Sequence, residues 1–368
     1  MHALSKPLRG RCAISAAVAL LAACGSSSPG SAPPGIDATG TWFGTLQSTS
    51  TAETASLVLD LKQQGAAVSV KMEIWSGTFN IGMPMSGQMS AFTVTLRDQD
   101  ALVTFSGVVG PDFTASGEYT LSSDTGTNRG TWTAHRIPSI AMVSQQRFSM
   151  TGEATAMTFD GTDLWVSGYG ACGATYVGFC KMKPDGTYSG VPSPSPPDAC
   201  GGSMAYDGAH LWCTRGGAGV STRDVYLVSP ADGSTSSQTL GPADHLAVAF
   251  DSQSRTMRCA YQWPLRSRFS AIGDTGAVTT TVDLPIYSPV SLAWDGSAFW
   301  LADWYPPKLY KLDQNGNVLG AADPPPMDPA DYSQTLSALA YDGSHLLAAV
   351  STSNPSGNRA VVYNMTPQ

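Results

Sequence analysis

Charge is scarce in this chain: Asp, Glu, Lys and Arg make up only 13% of its 368 residues. Outside the N-terminus no long stretch carries helical apolar spacing, which excludes a helical bundle. There is no basic stripe and the formal charge is −8, so nucleic acid and anionic lipid surfaces are excluded as electrostatic partners. Several enzyme signatures are missing, among them a Gly-x-Ser-x-Gly elbow, a Walker loop and a His-Glu-x-x-His helix. No Cys-x-x-Cys or Cys/His spacing suggests zinc, and neither a metal nor a cofactor is expected. What the chain has instead is turn residues, with 38 glycines and 25 prolines. Many turns and few helical patterns point to an all-β protein.

The N-terminus reads as a targeting segment. Lys6, Arg9 and Arg11 precede an apolar run from Cys12 to Ala23, shorter than the ~20 residues that span a bilayer. The run ends in Leu21-Ala22-Ala23-Cys24, which resembles a bacterial lipobox. That resemblance implies removal of residues 1–23 as a signal peptide and diacylglycerol on the Cys24 thiol. Acyl chains supply ~0.8 kcal/mol per buried methylene, so the lipid bilayer is the expected partner of acylated Cys24. Gly25, where some sorted lipoproteins carry Asp, implies a place in the cell envelope at the outer membrane. Loss of Lys6, Arg9 and Arg11 would take the formal charge from −8 to −11. Residues 24–36 are rich in Ser, Gly and Pro and read as a flexible tether.

Residues 37–137 read as short antiparallel strands. The candidates are Gly40–Leu46, Ala55–Gln63, Ala67–Trp75, Phe92–Arg97, Ala101–Val109, Thr114–Leu121 and Gly130–Arg136. Leu57, Leu59 and Leu61 alternate with Val58, Asp60 and Lys62, the period of a strand with one buried face. Gly40-Thr41-Trp42 opens the region and Gly130-Thr131-Trp132 closes it, as expected where first and last strands meet in a closed barrel. The Gly-x-Trp opening resembles lipocalin-like small bacterial barrels, which implies a small apolar ligand inside. The competing expectation is that Trp42, Phe43, Phe105 and Trp132 fill the interior.

Residues 138–368 contain a repeat. Phe159-Asp160-Gly161 leads to Leu164-Trp165, Tyr206-Asp207-Gly208 to Leu211-Trp212, Trp294-Asp295-Gly296 to Phe299-Trp300, and Tyr341-Asp342-Gly343 to Leu346-Leu347. A weaker copy has Phe250-Asp251-Ser252 before Met257. The aspartates follow one another at intervals of 47, 44, 44 and 47 residues, the period of propeller blades. The last copy stops at Ala360–Met365, one strand short, and an unpaired strand, Ala141–Ser149, precedes the first. Pairing these two closes a ring of five blades. The expected fold is therefore all-β: a small antiparallel β-barrel followed by a five-bladed β-propeller closed by an N-terminal strand. The hairpin resembles those of NHL-like and glutaminyl-cyclotransferase-like propellers of bacterial envelope proteins. The shared positions of Trp165, Trp212 and Trp300 argue for packing between sheets, and the repeated aspartates for turns.

Beyond Cys12 and Cys24, five cysteines remain. Cys172 and Cys200 fall in loops expected on one face and are the first candidate disulfide. Along a regular hairpin Cys172 and Cys180 would be ~13 Å apart at ~3.3 Å per residue, beyond the ~7 Å Cα limit. Cys180, Cys213 and Cys259 fall on strands, where one stays free and buried. On the presumed ligand face, irregular loops place Glu153, Tyr169, Arg215, Asp244, His245, Asp303, Trp304 and Tyr305 as candidate binding residues. No catalytic residue is identified. The expected role is a non-catalytic binding module for an envelope protein, a glycan or a small molecule. The alternatives are a propeller enzyme like the glutaminyl cyclotransferases, with Glu153 or Asp303 as general acid/base, and carriage of an apolar ligand in the barrel.

Overall fold

A computed structural model describes residues 36–368 apart from 52, 77–79, 91–92, 99, 101, 124–125, 175–176, 191–199, 215–223, 240–246, 255, 264–265, 273–277, 287, 305–306, 328–333 and 354–356. The first eight strands are β1 (Gly40–Ser48), β2 (Thr54–Gln64), β3 (Ala67–Trp75), β4 (Asn80–Ser90), β5 (Thr93–Arg97), β6 (Val103–Val109), β7 (Thr114–Ser123) and β8 (Gly126–Arg136). They close into an antiparallel barrel, with Trp42 opposite Arg136 and Leu46 opposite Trp132 where β1 meets β8. Strand β4 is absent from the sequence expectation. Its run NIGMPMSGQMS mixes Gly, Pro and Met, residues of low or neutral strand preference. Pro84 is tolerated there because it faces Lys71 of β3 in the part of β4 that runs past β5.

Alternation along β1 and β2 divides the barrel's residues between two cores. Trp42, Leu57, Leu59, Leu61, Phe105 and Trp132 point inward and share one apolar cluster. Phe43 does not join them. It is next to Trp42, so the two-residue period of a strand turns it outward, where it packs with Val58 and Trp75 in a cluster continuous with the propeller. At Gly44 a side-chain carbon would lie 2.0 Å from the Thr133 carbonyl, so only glycine allows β1 and β8 this approach.

The propeller follows, led by β9 (Met142–Thr151). Blade 1 is β10 (Ala156–Phe159), β11 (Leu164–Tyr169), β12 (Val177–Met182) and β13 (Tyr188–Gly190). Blade 2 is β14 (Met204–Tyr206), β15 (Leu211–Thr214), β16 (Asp224–Val228) and β17 (Thr235–Thr239). Blade 3 is β18 (Ala247–Asp251), β19 (Thr256–Trp263), β20 (Arg266–Ile272) and β21 (Val278–Leu284). Blade 4 is β22 (Pro289–Trp294), β23 (Phe299–Asp303), β24 (Lys308–Leu312) and β25 (Val318–Ala322). Blade 5 holds β26 (Gln334–Tyr341), β27 (Leu346–Thr352) and β28 (Arg359–Pro367), and β9 is its fourth strand. The expected closure is observed: β9 runs antiparallel to β28 with Ala360 opposite Met150 and Met365 opposite Ser144.

One local device explains the repeat. After Asp160, Asp207, Asp295 and Asp342, Gly161, Gly208, Gly296 and Gly343 take φ of 95°, 99°, 90° and 91°, which side chains disfavour. One carboxylate oxygen of the aspartate accepts N–H groups two and three residues on, as Asp295 does from Ser297 and Ala298 at 2.8 Å. The other accepts the indole N–H of the tryptophan five residues on: Trp165 to Asp160 at 2.7 Å, Trp212 to Asp207 at 2.6 Å, Trp300 to Asp295 at 2.8 Å. The tryptophans are thus buried packing residues that also fix the turn. Burial pushes these carboxyls up, but the accepted hydrogen bonds hold all three below the ordinary aspartate range.

Blade 5 has Leu347 where blades 1, 2 and 4 have tryptophan, and its turn is completed from elsewhere. Arg147 sits at a bulge in β9, between Gln146 opposite Tyr363 and Phe148 opposite Val362. The bulge aims its guanidinium out of the ladder. It donates to Asp342 Oδ2 at 2.5 Å, to Asn364 Oδ1 at 3.1 Å and to the Pro184 carbonyl at 2.5 Å. The closing strand therefore supplies a cation in place of the missing indole, and it bridges blades 5 and 1.

The segment between the domains is ordered by the propeller. Ile140 donates to the Ala321 carbonyl at 2.7 Å, Ala321 donates to the Pro138 carbonyl at 2.9 Å, and Ser139 forms a parallel bridge with Ala321. The linker is a short added strand on the outer edge of blade 4. Barrel and propeller together belong to one compact unit, Gly35–Gln368.

The expected Cys172–Cys200 pairing is not formed. Cys172 bonds to Cys180, with Cα atoms 6.3 Å apart, and Cys200 to Cys213, at 4.7 Å. The ~13 Å estimate assumed an extended path. In fact Ala171–Gly173 forms a 3-10 turn with Cys172 at φ 56°, and this folds the chain back on itself. Cys259 is free and fully buried, and burial pushes its thiol up to about 12.

Candidate functional site

Connections from second to third strands, and from one blade to the next, leave the propeller at the end opposite the Asp-Gly turns. The predicted binding residues that can be placed lie there. Glu153 precedes β10 and donates its N–H to the Tyr169 carbonyl at 2.8 Å, and its carboxylate accepts from the Ser353 hydroxyl of blade 5. Tyr169 ends β11 and is 49% exposed; Trp304 follows β23, is 53% exposed, and is pinned through its N–H to the Ser288 carbonyl at 3.0 Å. Arg215, Asp244, His245 and Tyr305 lie outside the described residues, as does Cys24.

Asp303 departs from the expectation. It ends a strand that is buried throughout, is itself 1% exposed, and accepts the Ser288 N–H at 2.9 Å. It belongs to a polar cluster sealed between barrel and propeller. Glu73 of β3 is 2% exposed. Burial, reinforced by the Asp303 charge, pushes its carboxyl up to about 9, so the group is protonated at neutral pH. Tyr310 of β24 is fully buried and packs against Phe43 of the barrel, with centroids 5.6 Å apart and the rings tilted by 40°. Neither Glu73 Oε2 nor the Tyr310 hydroxyl has a hydrogen-bond partner among the described residues. At the rim of the cluster Lys308 reaches Asp60 of the barrel at 2.9 Å and Asp323 of the propeller at 2.8 Å. Burial disfavours the Lys308 ammonium, yet the two carboxylates outweigh it and raise its pKa.

No signal of single residues marked this joint in advance. Val58, Asp60 and Lys62 were legible as the more polar face of β2, but the partner that covers that face is separated from it by over two hundred residues of sequence.

Three spaces differ in what they admit. The cavity found inside the barrel measures about 10 Å3, between Trp42, Leu59, Leu96 and Trp132. Small-ligand sites run from ~300 Å3 upward, and this space is far below that size. The axial channel, walled by the inner strands at Met157, Met204, Ala249, Leu292 and Leu339, holds about 90 Å3. Between barrel and propeller lies an open cleft of about 830 Å3. Among the described residues no group of three or more His, Cys, Asp or Glu side chains is placed to hold a metal ion.

These features define a two-domain β protein, a filled barrel fixed to a five-bladed propeller. No protein-family model and no curated protein matches the chain. Among solved structures it is similar to the glutaminyl cyclase of Myxococcus xanthus, with 10% identity and a TM-score of 0.42 over 63% of this chain and 100% of that one. It is also similar to a virginiamycin B lyase of Staphylococcus aureus solved with quinupristin, at 10% identity and TM-score 0.33 over 87% and 94% of the two chains. A chain of a nidogen/laminin complex gives 10% identity and TM-score 0.37 over 69% and 89%. The blade count rests on strand pairing.

Proposed function

We propose that this chain is a lipid-anchored protein of the cell envelope, at the outer membrane, whose propeller works as a non-catalytic binding module. The observation that carries the reading is the pair of half-exposed aromatics, Tyr169 and Trp304, held at strand ends of blades 1 and 4 on the irregular face. Large, stiff side chains on rigid elements bind at low entropic cost. The carboxyl that burial pushes up to about 9, Glu73, is sealed in the domain joint at 2% exposure, where a substrate does not reach it. The lipobox-like Leu21-Ala22-Ala23-Cys24 and the Ser/Gly/Pro tether support the anchor.

Two measurements test this. Cys24→Ser should release the protein from the membrane fraction; continued membrane retention defeats the anchor. A photo-crosslinking residue at position 304 should give a discrete adduct in the envelope that Tyr169→Ala weakens. If position 304 gives no adduct, or the same adducts as exposed Tyr188 on an outer strand, the loop-face reading fails.

A further inference from the structure

The outer edges of blades 3 and 4 are treated differently. The edge of β25 is covered by the linker at Ser139. The neighbouring β21 is the outermost strand of blade 3 and has β20 on one side. Among the described residues no strand pairs with its other side, and Val282 and Asp283 help to line the 830 Å3 cleft. Exposed strand edges are usually blunted by lysine, proline, short length or bulges. β21 is seven residues long, VTTTVDL, without lysine or proline. Its bulge lies opposite Ala271 and Ile272, away from Val282 and Asp283.

The cleft is continuous with an interface the chain already uses. Phe43 and Ile137 form part of its wall and also belong to the apolar core of the barrel–propeller joint. Facing β21 is the barrel's outer surface, where Thr45 pairs with Thr133 and Thr133 with Ser116 in adjacent strands. These side chains are exposed and uncharged. The charge on β21 itself, Asp283, is met by Arg268 at 3.2 Å. The joint holds the two walls at a fixed separation through Lys308 and through the linker on β25, so the cleft is preformed.

We infer that the β21 edge is a docking site for an extended, uncharged peptide segment, which adds as a further strand to blade 3 and lies in the cleft against the hydroxyl-bearing barrel wall. Main-chain hydrogen bonds would supply affinity and alternate side chains specificity. One face would meet Thr45, Ser116 and Thr133, the other Val282 and Val318. The linker on β25 is the same arrangement made within one chain. This site is distinct from the loop face carrying Tyr169 and Trp304 and stands or falls without it.

The test is selection of a random peptide display library on the full chain, with counter-selection against the double variant Thr133→Trp/Ser116→Trp. Both positions are exposed, and an unchanged urea-unfolding midpoint will establish that the variant folds. Val318→Trp fills the cleft from the propeller side and serves as an independent block. A synthetic peptide from the selection should lose at least about tenfold in affinity to either variant and keep it in Trp304→Ala. It should also slow amide exchange within Val278–Leu284, which a ligand filling only the cleft does not do. Failure to enrich any peptide over the counter-selected variant overturns the proposal, as does a binder that leaves β21 exchange unchanged.

Discussion

Replacing Glu73 by Gln should stabilise the protein, and the gain should depend on pH in a defined way. Glu73 is 2% exposed, beside Asp303, and its carboxyl titrates at about 9 instead of 4.5. Between those values the folded chain holds a proton that the unfolded chain releases. Stability therefore falls as pH rises through this window, by up to ~1.4 kcal/mol per pH unit, and levels off above it. At pH 7 the accumulated cost is about 3 kcal/mol. Glutamine keeps the shape and never ionises, so the variant escapes that cost. Urea unfolding followed by tryptophan fluorescence should give a difference near zero at about pH 4.5, about 3 kcal/mol at pH 7, and more at pH 8.5. For a chain of this size the gain at pH 7 corresponds to roughly 4 °C in Tm. A difference independent of pH across this range would refute the reasoning, because it would mean that Glu73 does not carry the proton in the folded state.

Arg147→Ala should cost about 3 kcal/mol by urea unfolding, since it leaves Asp342 partly buried without its cation, and Arg147→Lys should restore only part, because one ammonium cannot reach three acceptors as a fork does; equal stability of all three proteins would count against the latch. Asp342 is held below the ordinary aspartate range: burial opposes this, but the Arg147 bond and the turn N–H groups outweigh it. Its contribution is therefore present above about pH 4 and lost as pH falls, so the Arg147→Ala deficit should shrink in acid. Trp300→Phe keeps a ring but removes the donor to Asp295, and should cost roughly 1–2 kcal/mol, measurable in the same assay. Thiol titration should find Cys259 unreactive in the folded protein and accessible after unfolding without reductant; rapid labelling of the folded chain would contradict its burial.

The blade count was legible because five copies of one hairpin carry the same aspartate at nearly the same interval, and turn chemistry is local. Closure was legible for a related reason, as an unpaired strand at one end matched a missing strand at the other. The Arg147 latch was not, because it depends on a bulge, which strand alternation does not reveal. Cys172–Cys180 was set aside on the assumption of an extended path, and a three-residue 3-10 turn defeated that assumption. Phe43 does not fill the interior beside Trp42, Phe105 and Trp132, because its adjacency to Trp42 demands the opposite face. The joint around Glu73, Asp303 and Lys308 was the least legible, because its members sit on three strands far apart in sequence and share no spacing.

The closing strand fixes the order in which the molecule can be finished. Residues 142–151 leave the ribosome long before 359–367, their hydrogen-bonding partner, and cross any membrane first. Until residues 359–367 arrive the waiting strand keeps an open edge, and until residue 342 arrives Arg147 has no Asp342 to meet. A nascent chain released before residue 342 would thus display both defects together, an invitation to proteases that pairing with 359–367 withdraws.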